Sequence, residues 1–166
     1  EGCDTGPVFS EQQIDLDDDI NFAQLHDKLA VLGGYMLLNV LNKIDTITPT
    51  PQSNEGVVYA AKLNTQDRRL NWHQEARLVQ RQINAFSPKP GAECETKQGL
   101  FKIYEAKLLP NKTESQKPGI YNAELKAISC MDYYLQPILV QKAGGKPMKF
   151  DEYLRGANWI DGASIS

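Results

Sequence analysis

Apolar and polar positions change period along the chain, from helical in the front portion to alternating in the back. The clearest helical run is Gln74–Phe86. Its apolar residues Ala76, Val79, Ile83 and Phe86 fall at one-face spacing. Ser87-Pro88-Lys89-Pro90-Gly91 follows, and two prolines with a glycine stop a helix. Upstream, Phe22, Leu25, Leu29 and Leu32 mark a helix face. Gly33-Gly34 is predicted to break or bend that helix, and Tyr35, Leu37, Leu38, Val40, Leu41 and Ile44 predict a second, more fully buried one. Val8–Leu16 reads as a strand, Thr48–Ser53 as a Pro-punctuated linker and Val57–Ala61 as extended. After Gly91 short strands are predicted at Ala92–Thr96, Leu100–Leu109, Gly119–Asn122, Leu125–Cys130 and Tyr133–Val140. Lys97-Gln98-Gly99 and Met131-Asp132 read as turns, and Pro110–Pro118 as a polar loop. Pro137 demands an edge or a bulge. In the second strand, alternation puts Leu100, Tyr104, Ala106 and Leu108 on one face and Phe101 and Ile103 on the other. Phe150–Arg155 reads as a closing helix ended by Gly156.

At 166 residues and 41% hydrophobic, the chain suits one ordinary domain, or a small domain with part of another. No apolar run approaches membrane-spanning length and no leader pattern is visible, so a soluble protein without membrane contact is expected, cytoplasmic or in an organellar matrix. Cys3, Cys94 and Cys130 are odd in number and far apart. Reduced thiols are expected, and no Cys/His cluster offers a metal site. The formal net charge of -3 hides an asymmetry. Residues 1–56 carry ten acidic and two basic side chains, residues 57–112 ten basic and five acidic, and residues 113–166 six of each. A basic centre in an acidic protein points to an anionic partner met locally.

That centre supplies the candidate contacts. Arg77 and Arg81 sit four apart and project from one face of the predicted helix. Lys62, Arg68, Arg69 and Lys89 lie close by in sequence. Such residues anchor phosphates, although an arginine stripe is equally compatible with a solvated surface helix. Trp72, flanked by Leu70 and the amphipathic helix, reads as a core anchor. His26 and His73 read as surface or packing residues. Asp17-Asp18-Asp19 reads as charge ahead of a helix, because three adjacent carboxylates cannot all face one ion. Asp4, between Gly2 and Gly6, sits where a tight turn is expected.

The segments VVYAAKL, RRLNW and INAFSPKPGA, between Val57 and Ala92, resemble the junction segment of methionyl-tRNA formyltransferases. GCDTGPV at residues 2–8 resembles the family's Gly-x-Asp-Thr-Gly-Pro segment. GGKPMKFDEYLRG at residues 144–156 resembles its C-terminal segment. The matches occur in family order and together span nearly the whole chain. The resemblance implies an α+β chain: the tail of an α/β, Rossmann-like formyltransferase domain (residues 1–46), a linker (47–56) and a small OB-like barrel with one amphipathic helix (57–166). It implies Asp4 as a catalytic residue working with an upstream Asn and His, and 10-formyltetrahydrofolate as co-substrate. It also implies initiator methionyl-tRNA as partner, held by Lys62, Arg68, Arg69, Arg77, Arg81 and Lys89, and a monomer. Neither His26 nor His73 lies in a segment matching the family's catalytic His, so these residues alone are expected to be inactive. A folate-dependent sugar-amine formyltransferase or hydrolase and a stand-alone nucleic-acid-binding barrel are the rival readings.

Overall fold

The computed structural model describes residues 4–112, 117–157 and 159–166. The chain forms two compact units. One holds the residues up to Asp17 and Gln24–Leu63; the other holds Asp18–Ala23 and Asn64–Ser166.

In the first unit, the strand expected over Val8–Leu16 is reduced to a single bridge. Val8 and Thr50 exchange backbone hydrogen bonds of 2.8 and 2.9 Å. Without a longer partner the backbone of residues 9–16 has no ladder to join. The segment 47–56, read as a linker, contributes this pairing through Thr50. The predicted helix pair is one continuous helix, α1 (Phe22–Leu41), which passes through Gly33-Gly34 unbroken. Each glycine costs a helix about 1 kcal/mol relative to alanine. Strong helix formers on both sides, among them Ala30, Leu32, Met36 and Leu37, outweigh that cost. None of its residues is buried, so the expectation of a buried second helix is also corrected. It is not long and apolar enough to cross a membrane, nor is any other described helix.

The second unit is a curled antiparallel sheet with helices packed on it. Its strands are β1 (Ala92–Thr96), β2 (Gly99–Lys112), β3 (Tyr121–Asn122), β4 (Ala127–Ser129), β5 (Tyr133–Lys142) and β6 (Met148–Lys149). The order is β1-β2-β5-β4-β3, with β6 on β5. Strand β2 runs past the expected turn, so Pro110–Lys112 belong to it; residues 113–116 of the predicted loop lie outside the described residues. The C-terminal segment joins the two ends of the sheet. Ser166 exchanges backbone hydrogen bonds with Glu95 of β1, while Ile165 donates to Gly119 and Tyr121 to Ala163 beside β3. Helices α2 (Ala76–Ala85) and α3 (Phe150–Gly156) complete the unit. The predicted faces of α2 hold: Ala76, Val79 and Ile83 are fully buried. Both Ser87–Pro88 and Lys89–Pro90 are cis, and the Gly91 amide closes the turn on the Phe86 carbonyl at 2.9 Å.

Alternation along β2 breaks at Tyr104, the first of three irregularities in its pairing with β5. Phe101 and Ile103 are buried, as are Ala106 and, in part, Leu108. The register explains it. Ile103 faces Val140 and Glu105 faces Leu139, so Tyr104 is an extra residue on β2. A bulge reverses the phase of everything after it. Ala106 then faces Pro137, leaving Ile138 extra on β5 beside the proline, where a bulge was expected. The expected common face of Leu100, Tyr104, Ala106 and Leu108 is therefore wrong, because pairing to β5 sets the phase.

Cys94 and Cys130 are thiols outside any disulfide, both buried in this core. Burial pushes both thiols up, Cys130 to about 12 and Cys94 further. A raised value keeps the unreactive thiol form at neutral pH. Iodoacetamide at pH 8 is expected to leave both untouched in the native protein and to label both in guanidinium. Mass spectrometry of peptides checks this, and native labelling of either would contradict the packing. Cys3 lies outside the described residues.

Candidate nucleic-acid interface

The second unit places most of the candidate cations along α2 and the edge of β1. Gln82 of α2 donates to the carbonyls of Asp67 and Arg69, both at 2.9 Å, pinning a 3-10 turn (Gln66–Arg68) to the helix. Leu70 continues that segment onto β1, its amide donating to the Glu93 carbonyl at 2.8 Å. Trp72 is 2% exposed and belongs to the core, as its flanking residues predict.

Arg68 and Arg69 lie over β1. Arg68 Nη1 is 3.1 Å from the carboxylate of Glu93, and Arg69 Nη2 is 3.9 Å from that of Glu95. Glu93 is a buried carboxylate and also receives Lys102 Nζ at 3.4 Å. Lys102 donates onward to the Pro90 carbonyl at 3.1 Å, beside exposed Lys89. Two cations around one buried carboxylate mainly satisfy that carboxylate, so Arg68 has a structural role here. Lys102 was not among the sequence candidates. Its place on the outward side of β2, opposite Phe101 and Ile103, was the signal available.

Arg77 and Arg81 project together from α2. Arg77 Nη1 reaches Asp19 at 3.2 Å and Gln80 Oε1 at 3.1 Å, and Arg81 Nη2 reaches Asp18 at 2.6 Å. Gln80 is buried and donates to the Ala106 carbonyl at 3.1 Å, so Arg77 is oriented from the sheet. The hydrogen bond from Arg81, then its charge and that of Arg77, hold the Asp18 carboxyl below its ordinary value. The carboxyl therefore stays ionised through the neutral range.

Lys62 lies in the first unit and is exposed. Asp4, in the same unit, is exposed at a positive φ of 63°. Gln52 donates to the carbonyls of Asp4 and Gly6 at 3.0 and 2.7 Å, fixing the turn expected there. His26 and His73 are exposed. Among the described residues no group of three or more His, Cys, Asp or Glu is arranged to hold a metal ion.

A curled antiparallel sheet crossed by a helix with an exposed arginine-bearing face defines a small mixed α/β domain. Residues 62–158 match the family described as "Formyl transferase, C-terminal domain", and the chain belongs to that family. It is 33% identical over 157 residues to a methionyl-tRNA formyltransferase of Rickettsia massiliae, covering 95% of this chain and 52% of that protein. The corresponding protein of Brucella anthropi is 31% identical over 159 residues, with 94% and 52% covered. The chain thus spans about half the length of the curated relatives it matches. Among solved structures, HypX from Aquifex aeolicus in complex with tetrahydrofolic acid superposes with a TM-score of 0.68 at 20% identity. The superposition covers 93% of this chain and 28% of that one, a likeness of fold.

Proposed function

We propose that the chain is the C-terminal portion of a methionyl-tRNA formyltransferase and supplies much of its grip on initiator methionyl-tRNA. The observation that carries this is the family match over residues 62–158, together with relatives of that name aligned over about 95% of the chain. In the reaction the methionyl nitrogen attacks the formyl carbon of 10-formyltetrahydrofolate. The carbon–nitrogen bond to the folate breaks, tetrahydrofolate leaves and the amine loses a proton. Such a step needs donors for the oxyanion and a positioned proton acceptor. The folate-bound HypX supports a tetrahydrofolate-type co-substrate. In this reading residues 1–46 are the tail of the Rossmann-like catalytic domain, residues 47–56 a linker and residues 57–166 the OB-like domain. Exposed Leu29, Leu37, Leu38 and Leu41 on α1 support it, because a catalytic domain would bury such side chains. Asp4 orients a histidine supplied from elsewhere in the enzyme, with Gln52 holding its turn. Since no histidine here occupies a matching segment, these residues alone are inactive, and the enzyme works as a monomer.

The tRNA contacts are Lys62, Arg69, Arg77, Arg81 and Lys89, acting on phosphates without regard to sequence, while Arg68, also expected there from the sequence, stays with Glu93. Each phosphate contact steepens the salt dependence of binding. Filter binding of tRNA across a salt series tests this. The R77A/R81A double variant is expected to bind about tenfold more weakly, with a slope of log K against log salt reduced by about 1–2. An unchanged affinity and slope would refute the contact assignment.

A further inference from the structure

We infer that Asp18 and Asp19 act as an internal competitor for the arginine face of α2, so that RNA must displace them to bind; this rests on the tRNA contacts proposed above. The two carboxylates come from 63 and 58 residues before the arginines they meet, so their arrival is a product of folding rather than of local sequence. Each meets one guanidinium: Asp18 meets Arg81 at 2.6 Å, and Asp19 meets Arg77 at 3.2 Å. Four residues of helix separate the two arginines by about 6 Å along the axis. Two adjacent anions on two cations at that spacing occupy the face as neighbouring phosphates would.

Two features make the contact exchangeable rather than structural. First, the pairs are solvated. Asp18 and Asp19 keep 60% and 71% of their side-chain exposure, and Arg81 and Arg77 keep 55% and 37%. Ion pairs so exposed are weak and screened by salt. Second, Arg77 does not depend on them for its orientation. Gln80 orients Arg77 and is itself anchored to the Ala106 carbonyl of β2. Removing the aspartates therefore leaves α2 in place with Arg77 already oriented. By contrast, Glu93 is buried between Arg68 and Lys102, and its removal would leave cations uncompensated.

A competitor of this kind lowers affinity for every polyanion. Phosphates that bind well enough to displace both carboxylates are disfavoured least. It also lowers the net release of counterions, because each freed carboxylate takes up a cation of its own as RNA binds.

The test is filter binding of tRNA, across salt, to the full 166-residue chain carrying Asp18→Asn and Asp19→Asn. Glu124→Gln with Glu152→Gln, two exposed carboxylates that pair with neither arginine, serves as the charge-matched control. The aspartate variant is expected to bind about tenfold more tightly, with a salt slope steeper by about 1–2, while the control changes by less than about threefold. Thermal melting of the two variants should agree closely. Equal tightening in variant and control would reduce the effect to net charge and overturn the proposal. Weakened binding would make the aspartates supports for the arginines and overturn it equally. If the aspartate variant is unchanged while R77A/R81A binds weakly, the competitor fails and the tRNA reading stands. If neither pair alters binding, both fall together.

Discussion

Replacing Phe101 by alanine is expected to destabilise the second unit by about 3–5 kcal/mol, the largest effect of any single substitution considered. Phe101 is 1% exposed and sits among four aromatic rings at the centre of the core. Its ring centroid lies 4.9 Å from that of Tyr153, 5.2 Å from that of Trp159 and 6.4 Å from that of Phe150, all in tilted or edge-on arrangements. Tyr121 joins through Trp159 at 5.0 Å. Truncation leaves a cavity that strands on both sides cannot close, because β2 is pinned between β1 and β5. The rings also link β2, α3 and the segment at Trp159, so one deletion loosens three elements. Both tryptophans, Trp72 and Trp159, lie in this unit, so urea unfolding followed by their fluorescence reads it directly. Phe101→Leu, which keeps much of the buried apolar bulk, should lose less, about 1–2 kcal/mol. A destabilisation below about 1 kcal/mol for the alanine variant would mean that the rings are not packed as described.

Gly119→Ala is expected to follow, at about 2–4 kcal/mol, for a different reason. Gly119 has a φ of 80°, and a Cβ there would stand 2.6 Å from the carbonyl oxygen of Ile165. That oxygen is backbone and cannot rotate away. The Gly119 amide donates to Ser129 at 2.8 Å, and its carbonyl accepts from Ile165 at 2.7 Å. The added methyl would therefore push the C-terminal segment off the sheet edge it joins. Gly144→Ala separates the two contributions. Its φ of 69° is similar, but nothing lies within 4 Å of the added atom. It should cost only the left-handed backbone penalty, about 1 kcal/mol. Equal losses at the two positions, measured by the same unfolding experiment, would show that the clash with Ile165 does not operate.

The C-terminal segment also shows where sequence reading ran out. Residues 163–166 carry no strand pattern, yet they hydrogen-bond to both β1 and the entrance to β3. Their role comes from the gap that the curled sheet leaves, which no local pattern describes. The misread face of β2 has the same origin. Period-two reading is sound until pairing leaves an extra residue in the strand, and the bulge at Tyr104 is a property of the β2–β5 pairing. Gly33-Gly34 differs in kind: the helix formers on either side outweigh a local breaker, and α1 runs through it.

The amino-acid order by itself determined α2, the β1–β2 hairpin, the Pro-rich stop after the helix, the closing α3 and the family segments that match along the chain. These depend on interactions a few residues long: apolar spacing, a turn glycine, fixed proline φ angles. Only the tertiary structure decided which cations stand free and which are spoken for. Glu93 reaches Arg68 and Lys102, while Asp18 and Asp19 reach Arg81 and Arg77 across about sixty residues of chain. Charge acts through space, so a basic stretch declares its sign in the sequence but acquires its neighbours only on folding.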